Sequence, residues 1–214
     1  MLETVALFAS LEPEQLAAIE KYAVVRRYPK NTVILCEGDH SDSLYVILSG
    51  KVKVYLNDEN GKEVIINYQG EGEYFGELSL IDDSERSASI VTAAATTFAV
   101  ISKAAFFEAL LGYPEIGIQL IGDLVRRIRT LTGDIKTLAL SDVYGRLCKL
   151  LIDLARPEDG RQIVSEPLTQ QEIANRIGAS REMVCRILKD LETGGYITQD
   201  RKQLIIHKAL PRRY

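Results

Sequence analysis

The chain is predicted to be an α+β protein in three successive parts. These are a β jelly-roll over residues 1–112, a long pairing helix and hinge over 113–139, and a winged helix-turn-helix over 140–214. Three observations predict this order. Short apolar strands punctuated by turn residues fill residues 28–102. An apolar repeat of alternating spacing runs from Ile121 to Leu138. A helix, a tight turn and a second helix then occupy 169–191, followed by a segment that alternates apolar and polar residues.

The first 27 residues suit short amphipathic helices, with Leu7, Phe8, Leu11, Leu16 and Ile19 as the apolar positions. Strands are predicted over 32–36, 44–48, 52–56, 64–68 and 88–101. Glu37-Gly38-Asp39, Ser49-Gly50 and Asn57-Asp58-Glu59-Asn60-Gly61 supply the turns between them. Many short strands at this spacing predict a sandwich or jelly roll.

Helical periodicity returns after Lys103. Ile121, Leu124, Ile128, Leu131, Ile135 and Leu138 are spaced 3, 4, 3, 4, 3. A seam this regular predicts a parallel homodimer; the alternative is a long helix packed on its own domain. The helix breaks near Ser141-Asp142, where Ser141 or Asp142 caps the next helix over 143–155, and Pro157-Glu158-Asp159-Gly160 reads as a turn.

In the helix-turn-helix, Thr169 is the predicted cap, with Glu172 three residues later at capping-box spacing. Gly178 stops the first helix, Ser180 caps the second, and Gly194-Gly195 ends it. Residues 196–207 alternate around Asp200-Arg201-Lys202, as a β-hairpin wing does. Val184, Leu188 and Leu191 share a core-facing side of the second helix, while Arg181, Glu182, Cys185 and Arg186 share the other. Arginine can bond a guanine edge bidentately and a carboxylate can accept from cytosine N4 in the major groove, so this face points to reading of duplex DNA. The alternative is a helical hairpin with solvated charges.

Net charge is −4, but it is uneven: residues 169–214 hold nine Lys/Arg and five Asp/Glu, leaving the remainder acidic. A basic module on an acidic body suits local phosphate contact rather than a general nucleic-acid coat. Cys36, Cys148 and Cys185 form an odd set without CxxC spacing, against a disulfide framework or a zinc site. The N-terminus lacks a basic start and a long apolar run, and the apolar stretch 89–102 alternates like strands, so neither a leader nor a membrane span is predicted. A reducing cytoplasm is the expected location.

The segment Gly72-Glu73-Tyr74-Phe75-Gly76-Glu77-Leu78, followed by Arg86-Ser87-Ala88-Ser89, is the second informative patch. Two glycines let backbone N–H groups approach an anion. Arg86 can pair with phosphate oxygens and Ser87 can add a hydroxyl, whereas Glu77 suits a sugar hydroxyl. Together they describe a pocket for a sugar phosphate; the alternative is a structural Glu77–Arg86 pair.

This patch resembles the phosphate-binding cassette of the cyclic-nucleotide-binding domain. Upstream of a pairing helix and the SREMVCRILKDLE helix, it makes the chain similar to the Crp/Fnr superfamily of bacterial transcription regulators, in its cyclic AMP receptor branch. The resemblance covers almost the whole chain. It implies a cytoplasmic homodimer that binds cAMP allosterically and double-stranded DNA at a TGTGA-like palindrome, with RNA polymerase as a further partner and no membrane, metal or catalytic role. It assigns Glu77 to the ribose hydroxyl, Arg86 and Ser87 to the cyclic phosphate, and Gly76 and Leu78 to backbone contacts. Arg181, Glu182 and Arg186 would read bases, with Thr169, Gln171 and Ser180 on phosphates. Two adjacent hydroxyl residues hold the base in the family; here those positions carry Leu131 and Thr132, so only Thr132 keeps a hydroxyl. Arg127, one turn earlier, either helps to hold the base or is solvated or ion-paired.

Alternatives keep the fold but respond to cGMP, to redox state or to no ligand. An iron–sulfur sensor needs an N-terminal cysteine cluster, and only Cys36 stands there; Cys185 could oxidise on the DNA-facing side. A jelly-roll enzyme is the remote alternative, since His40 and His207 are the only histidines and no catalytic constellation accompanies them.

Overall fold

The computed structural model describes residues 1–158, 161–200 and 203–211; Asp159-Gly160 of the predicted turn and Arg201-Lys202 at the predicted wing tip lie outside them. The chain forms two compact units, Met1–Ile128 and Arg129–Tyr214.

In the first unit, a 3-10 turn at Ala6–Phe8 and helix α1 (Pro13–Glu20) precede the strands. Pro13 opens α1, and Glu12 and Gln15 cap it reciprocally. Strands β1 (Ala23–Tyr28), β2 (Val33–Leu35), β3 (Ser43–Ser49), β4 (Lys51–Asn57), β5 (Glu63–Gly70), β6 (Tyr74–Phe75), β7 (Ser89–Thr92) and β8 (Thr96–Ser102) form two antiparallel sheets, ordered β1-β8-β3-β6 and β2-β7-β4-β5. Helix α2 (Glu77–Asp82) interrupts them between β6 and β7, and α3 (Lys103–Gly112) and α4 (Pro114–Leu140) follow.

Strand β3 explains the layering. Leu44 and Val46 join a core with Leu7, Phe8, Leu16, Phe106 and Ile116 from the helical segments. Tyr45 and Ile47 point the opposite way, into a core with Val52, Phe75, Ile90 and Phe98 between the sheets. Period-two alternation thus feeds both faces of one strand into apolar layers. Tyr45 stacks on Phe75 at 5.1 Å, and Phe98 meets both rings edge-on.

Three expectations need correction here. Residues 23–27 belong to β1, not to a helix; among the described residues this edge strand pairs only with β8, and its Val24 and Val25 are exposed. The predicted strand 88–101 is two strands, β7 and β8, in different sheets. The two-residue β6 was not predicted, and it pairs with β3 directly before α2.

Helix α4 leaves most of its predicted seam uncovered. Ile121, Ile128, Leu131, Ile135 and Leu138 are exposed, as are Ile118 and Val125, whereas Leu124 packs partly against the helical-side core. Among the described residues, no single helix is long and apolar enough to cross a membrane.

In the second unit, α5 (Val143–Leu154) begins at Asp142, whose Oδ1 accepts from Gly145 N at 2.7 Å. Strands β9 (Arg156–Glu158) and β10 (Arg161–Val164) follow, then α6 (Gln170–Ile177), α7 (Arg181–Thr193), β11 (Ile197–Asp200) and β12 (Gln203–Ile206), in one sheet of order β11-β12-β10-β9. Pro157 and Glu158 lie in β9 rather than in a turn; β9 is an edge strand, where a missing proline N–H is tolerated. Leu147, Leu151, Val164, Ile173, Val184, Leu188, Leu191 and Ile197 form the core. Arg146 ties α5 to the end of α6, donating from Nε to the Ile177 carbonyl at 2.9 Å and from Nη1 to that of Ser141 at 3.0 Å.

Candidate functional site

The sugar-phosphate patch sits where β6 turns into α2. Gly76 caps α2 with φ +91°, a conformation suited to glycine, and a side chain there would also collide with Arg86 Nη1 and the Ser43 carbonyl. Helix α2 then buries Glu77, Ser79 and Leu80 and leaves Leu78 exposed. Arg86 returns from the β7 side and is 4 % exposed. Its Nη1 donates to the Gly76 carbonyl at 2.5 Å and to Ser79 Oγ at 2.6 Å. Its Nη2 donates to the carbonyls of Ser41 at 2.9 Å and Ser43 at 2.8 Å. Its Nε is buried without a hydrogen-bond partner. Burial lowers the guanidinium pKa from its ordinary value, while Tyr45 and Glu77 oppose that shift. Ser87 is exposed beside it.

Glu77, 1 % exposed, does not pair with Arg86 in the way the structural alternative supposed. Its Oε1 accepts from Arg127 Nη1 at 2.6 Å. Burial raises the carboxyl pKa, and Arg127 and Arg86 pull it back. Arg127 is thus ion-paired, and its Nη2 also donates to the Tyr74 carbonyl at 3.1 Å while the guanidinium lies 5.1 Å from the Tyr74 ring. The Tyr74 hydroxyl donates to Asp123 Oδ2 at 2.8 Å, and Asp123 Oδ1 accepts from Arg126. The structure therefore gathers Gly76, Glu77, Leu78, Arg86, Ser87 and Arg127. Thr132 lies further along α4, in the second unit, and is exposed, as is Leu131.

Sequence reasoning missed Tyr74, Ser79, Asp123 and the carbonyls of Ser41 and Ser43. Ser79 carried a local hint, two residues past Glu77 on the same short helix. Tyr74 and Asp123 are 49 residues apart, and nothing local pairs them.

The second surface is on α7. Thr169 Oγ1 accepts from Glu172 N at 3.1 Å to cap α6, and Ser180 Oγ accepts from Met183 N at 3.2 Å to cap α7. Between them Gly178 adopts φ +64° and ends α6. The Glu172 carboxylate accepts from Arg176 at 3.0 Å, and that guanidinium also reaches Glu166 at 3.2 Å. Helix α7 buries Val184, Ile187, Leu188 and Leu191 and exposes Arg181, Glu182, Cys185 and Arg186. The Glu182 carboxyl is held below its ordinary value by its own backbone N–H and by the Ser180 hydroxyl. Thr169, Gln171 and Ser180 are exposed too, with Gln171 donating to Asn175 at 2.8 Å. Thr198 and His207 join β11 to the end of β12 at 2.7 Å. Two guanidinium forks and a carboxylate on a buried-back helix can approach a groove together.

Among the described residues, no group of three or more His, Cys, Asp or Glu side chains could hold a metal ion. A family model for the cyclic nucleotide-binding domain matches residues 25–113, and one for the Crp-like helix-turn-helix domain matches residues 145–210. A CRP-like cAMP-activated global transcriptional regulator of Mycobacterium tuberculosis is 34 % identical over 210 residues, covering 96 % of this chain and 94 % of that one.

The chain belongs to the Crp/Fnr family of transcription regulators.

Its Salmonella typhimurium relative, the cAMP-activated global transcriptional regulator CRP, is 34 % identical over 190 residues, covering 86 % of this chain and 89 % of its own. A solved structure of the c-di-GMP responsive global regulator CLP of Xanthomonas campestris has a TM-score of 0.80 at 26 % identity, covering 92 % of this chain and all of that one. The Crp/Fnr member described here joins a cyclic nucleotide-binding domain to a helix-turn-helix domain that binds DNA.

Proposed function

We propose that this regulator is a cytoplasmic homodimer that binds cAMP at the β6–α2 turn and reads a TGTGA-like palindrome with α7. The observation that carries the reading is the division of α7, with Arg181, Glu182 and Arg186 exposed opposite a fully buried apolar face. Arg181, Glu182 and Arg186 meet base edges, and Thr169, Gln171 and Ser180 meet phosphates. Pairing of two chains through Ile121, Ile128, Leu131, Ile135 and Leu138 is supported by their exposure on α4, since isolated apolar stripes of this length are otherwise left in water. Two paired modules would reach successive major grooves about 34 Å apart. RNA polymerase is the further partner, and the chain has no catalytic role.

Gly76, Glu77, Leu78, Arg86, Ser87 and Arg127 form the effector site. The unpartnered Arg86 Nε is a buried donor that an oxyanion would satisfy, and the exposed Ser87 adds a hydroxyl. Glu77 accepts from a ribose hydroxyl, in exchange for or beside Arg127. Likeness to two regulators described as cAMP-activated supports cAMP as the ligand in this reading. The ligand switches the protein only through a difference in affinity between two arrangements. Calorimetric titration of the full chain with cAMP, cGMP and c-di-GMP tests this. One saturable cAMP site per chain is expected; heat with c-di-GMP alone, or with none, contradicts it.

A further inference from the structure

Tyr74 is the only residue among those described in the effector turn that grips α4 at three points. Its hydroxyl donates to Asp123 at 2.8 Å, its carbonyl accepts from Arg127 at 3.1 Å, and its ring lies beneath the Arg127 guanidinium. Asp123 and Arg127 are four residues apart and share one face of the helix. Two residues along the chain from Tyr74 is Gly76, and the next residue, Glu77, takes the other Arg127 donor at 2.6 Å. Tyr74 is 2 % exposed and the Asp123 side chain 15 %, so their hydrogen bond is shielded, whereas the Arg127 guanidinium keeps one side toward solvent. Burial, reinforced by the Asp123 hydrogen bond, raises the Tyr74 pKa, which keeps the hydroxyl a donor.

The Tyr74–Asp123 bond has no geometric need of a nucleotide. It does fix the turn of α4 that presents Arg127 to Glu77. A ligand hydroxyl arriving at Glu77 must share or displace Arg127, and the helix registers that exchange only while its neighbouring turn is anchored. We propose that Tyr74 is a positioning residue for effector response: through Asp123 it holds α4 so that occupancy of Glu77 alters Arg127 and the helix that bears it. This rests on the reading of Glu77 as an effector residue.

The test uses the full-length protein, with cAMP affinity and DNA affinity measured separately for wild type, Tyr74→Phe, Asp123→Ala, Asp123→Asn and the Tyr74→Phe/Asp123→Ala double variant. Phenylalanine keeps the ring and the carbonyl; asparagine keeps an acceptor for the hydroxyl. Expected are cAMP affinities within about threefold of wild type. The ratio of DNA affinities with and without cAMP should drop by at least about fivefold in Tyr74→Phe and in Asp123→Ala. Asparagine should restore most of it, and the double variant should be no worse than either single one, the mark of one shared interaction. An unchanged ratio in both single variants overturns the proposal, as does a loss of cAMP affinity as large as the loss of ratio, or an additive double variant. Wild type that ignores cAMP overturns the functional reading itself, before any variant is compared, and this proposal with it.

Discussion

The Glu77 carboxylate accepts from Arg127 across 50 residues of sequence at 2.6 Å, while Arg86, nine residues away along the chain, donates instead to Ser79 and to three backbone carbonyls. The two arginines beside the β6–α2 turn therefore make different contacts. Arg86 ties the Ser41–Ser43 segment to the start of α2, and Arg127 pairs with the buried Glu77 carboxylate.

Arg86→Leu removes donors from the Gly76, Ser41 and Ser43 carbonyls and from Ser79. The expected cost is about 3 kcal/mol in the stability of the first unit, together with loss of cAMP binding and retention of the dimer. Thermal unfolding, calorimetry and sedimentation of the same sample check the three parts. Unchanged cAMP affinity would reject Arg86 as part of the pocket.

Glu77 gives a pH signature. Burial raises its pKa above 4.5 in the folded chain, so the native state holds that proton more tightly than the unfolded chain does. Its contribution to stability is therefore complete below about pH 4.5 and declines as pH climbs through the folded value. Glu77→Gln abolishes this decline, so the melting temperature of the variant relative to wild type should increase with pH across that window. Parallel melting curves at every pH would mean that Glu77 titrates normally.

The exposed stripe on α4 predicts the oligomeric state. Ile135→Glu places a charge at a position 65 % exposed in the single chain, so the fold should survive while the dimer separates. Sedimentation velocity should show a monomer with an unchanged circular dichroism spectrum.

Capping gives a local stability test. Asp142→Ala deletes the acceptor for Gly145 N and should cost about 1 kcal/mol in the second unit. Chemical denaturation of the full chain, read through the helical signal, measures it.

Arg181→Ala should cost about 1–3 kcal/mol of discrimination at one base pair. Competition between the preferred duplex and single-base variants reads this. Equal weakening on every sequence would move Arg181 from a base edge to a phosphate.

Much of the fold was legible because its signals are local. Thr169, Gly178, Ser180 and Asp142 act within three or four residues of themselves, so capping could be read directly. Strands β3 and β4 stood out between glycine-bearing turns. Strand β1 did not, because its AVVRRY run lacks period-two alternation, although Pro29-Lys30-Asn31 follows it as a turn, and its pairing with β8 joins residues more than 60 positions apart. Strand β9 was hidden by Pro157, a residue that ordinarily argues for a turn. In the candidate site, the glycine and the charged residue types were visible in one short segment, but their partners were not. Whether Glu77 would meet Arg86 or Arg127 depended on where the fold brings α4, and a hydroxyl such as that of Tyr74 carries no spacing that points to Asp123.

The most direct test of effector-controlled DNA reading is fluorescence anisotropy of a duplex with two inverted TGTGA half-sites, titrated with the full-length protein with and without saturating cAMP. Two chains per duplex and an affinity at least about fivefold tighter with cAMP are predicted. Equal affinity in both titrations, or binding by a single chain, would contradict the account.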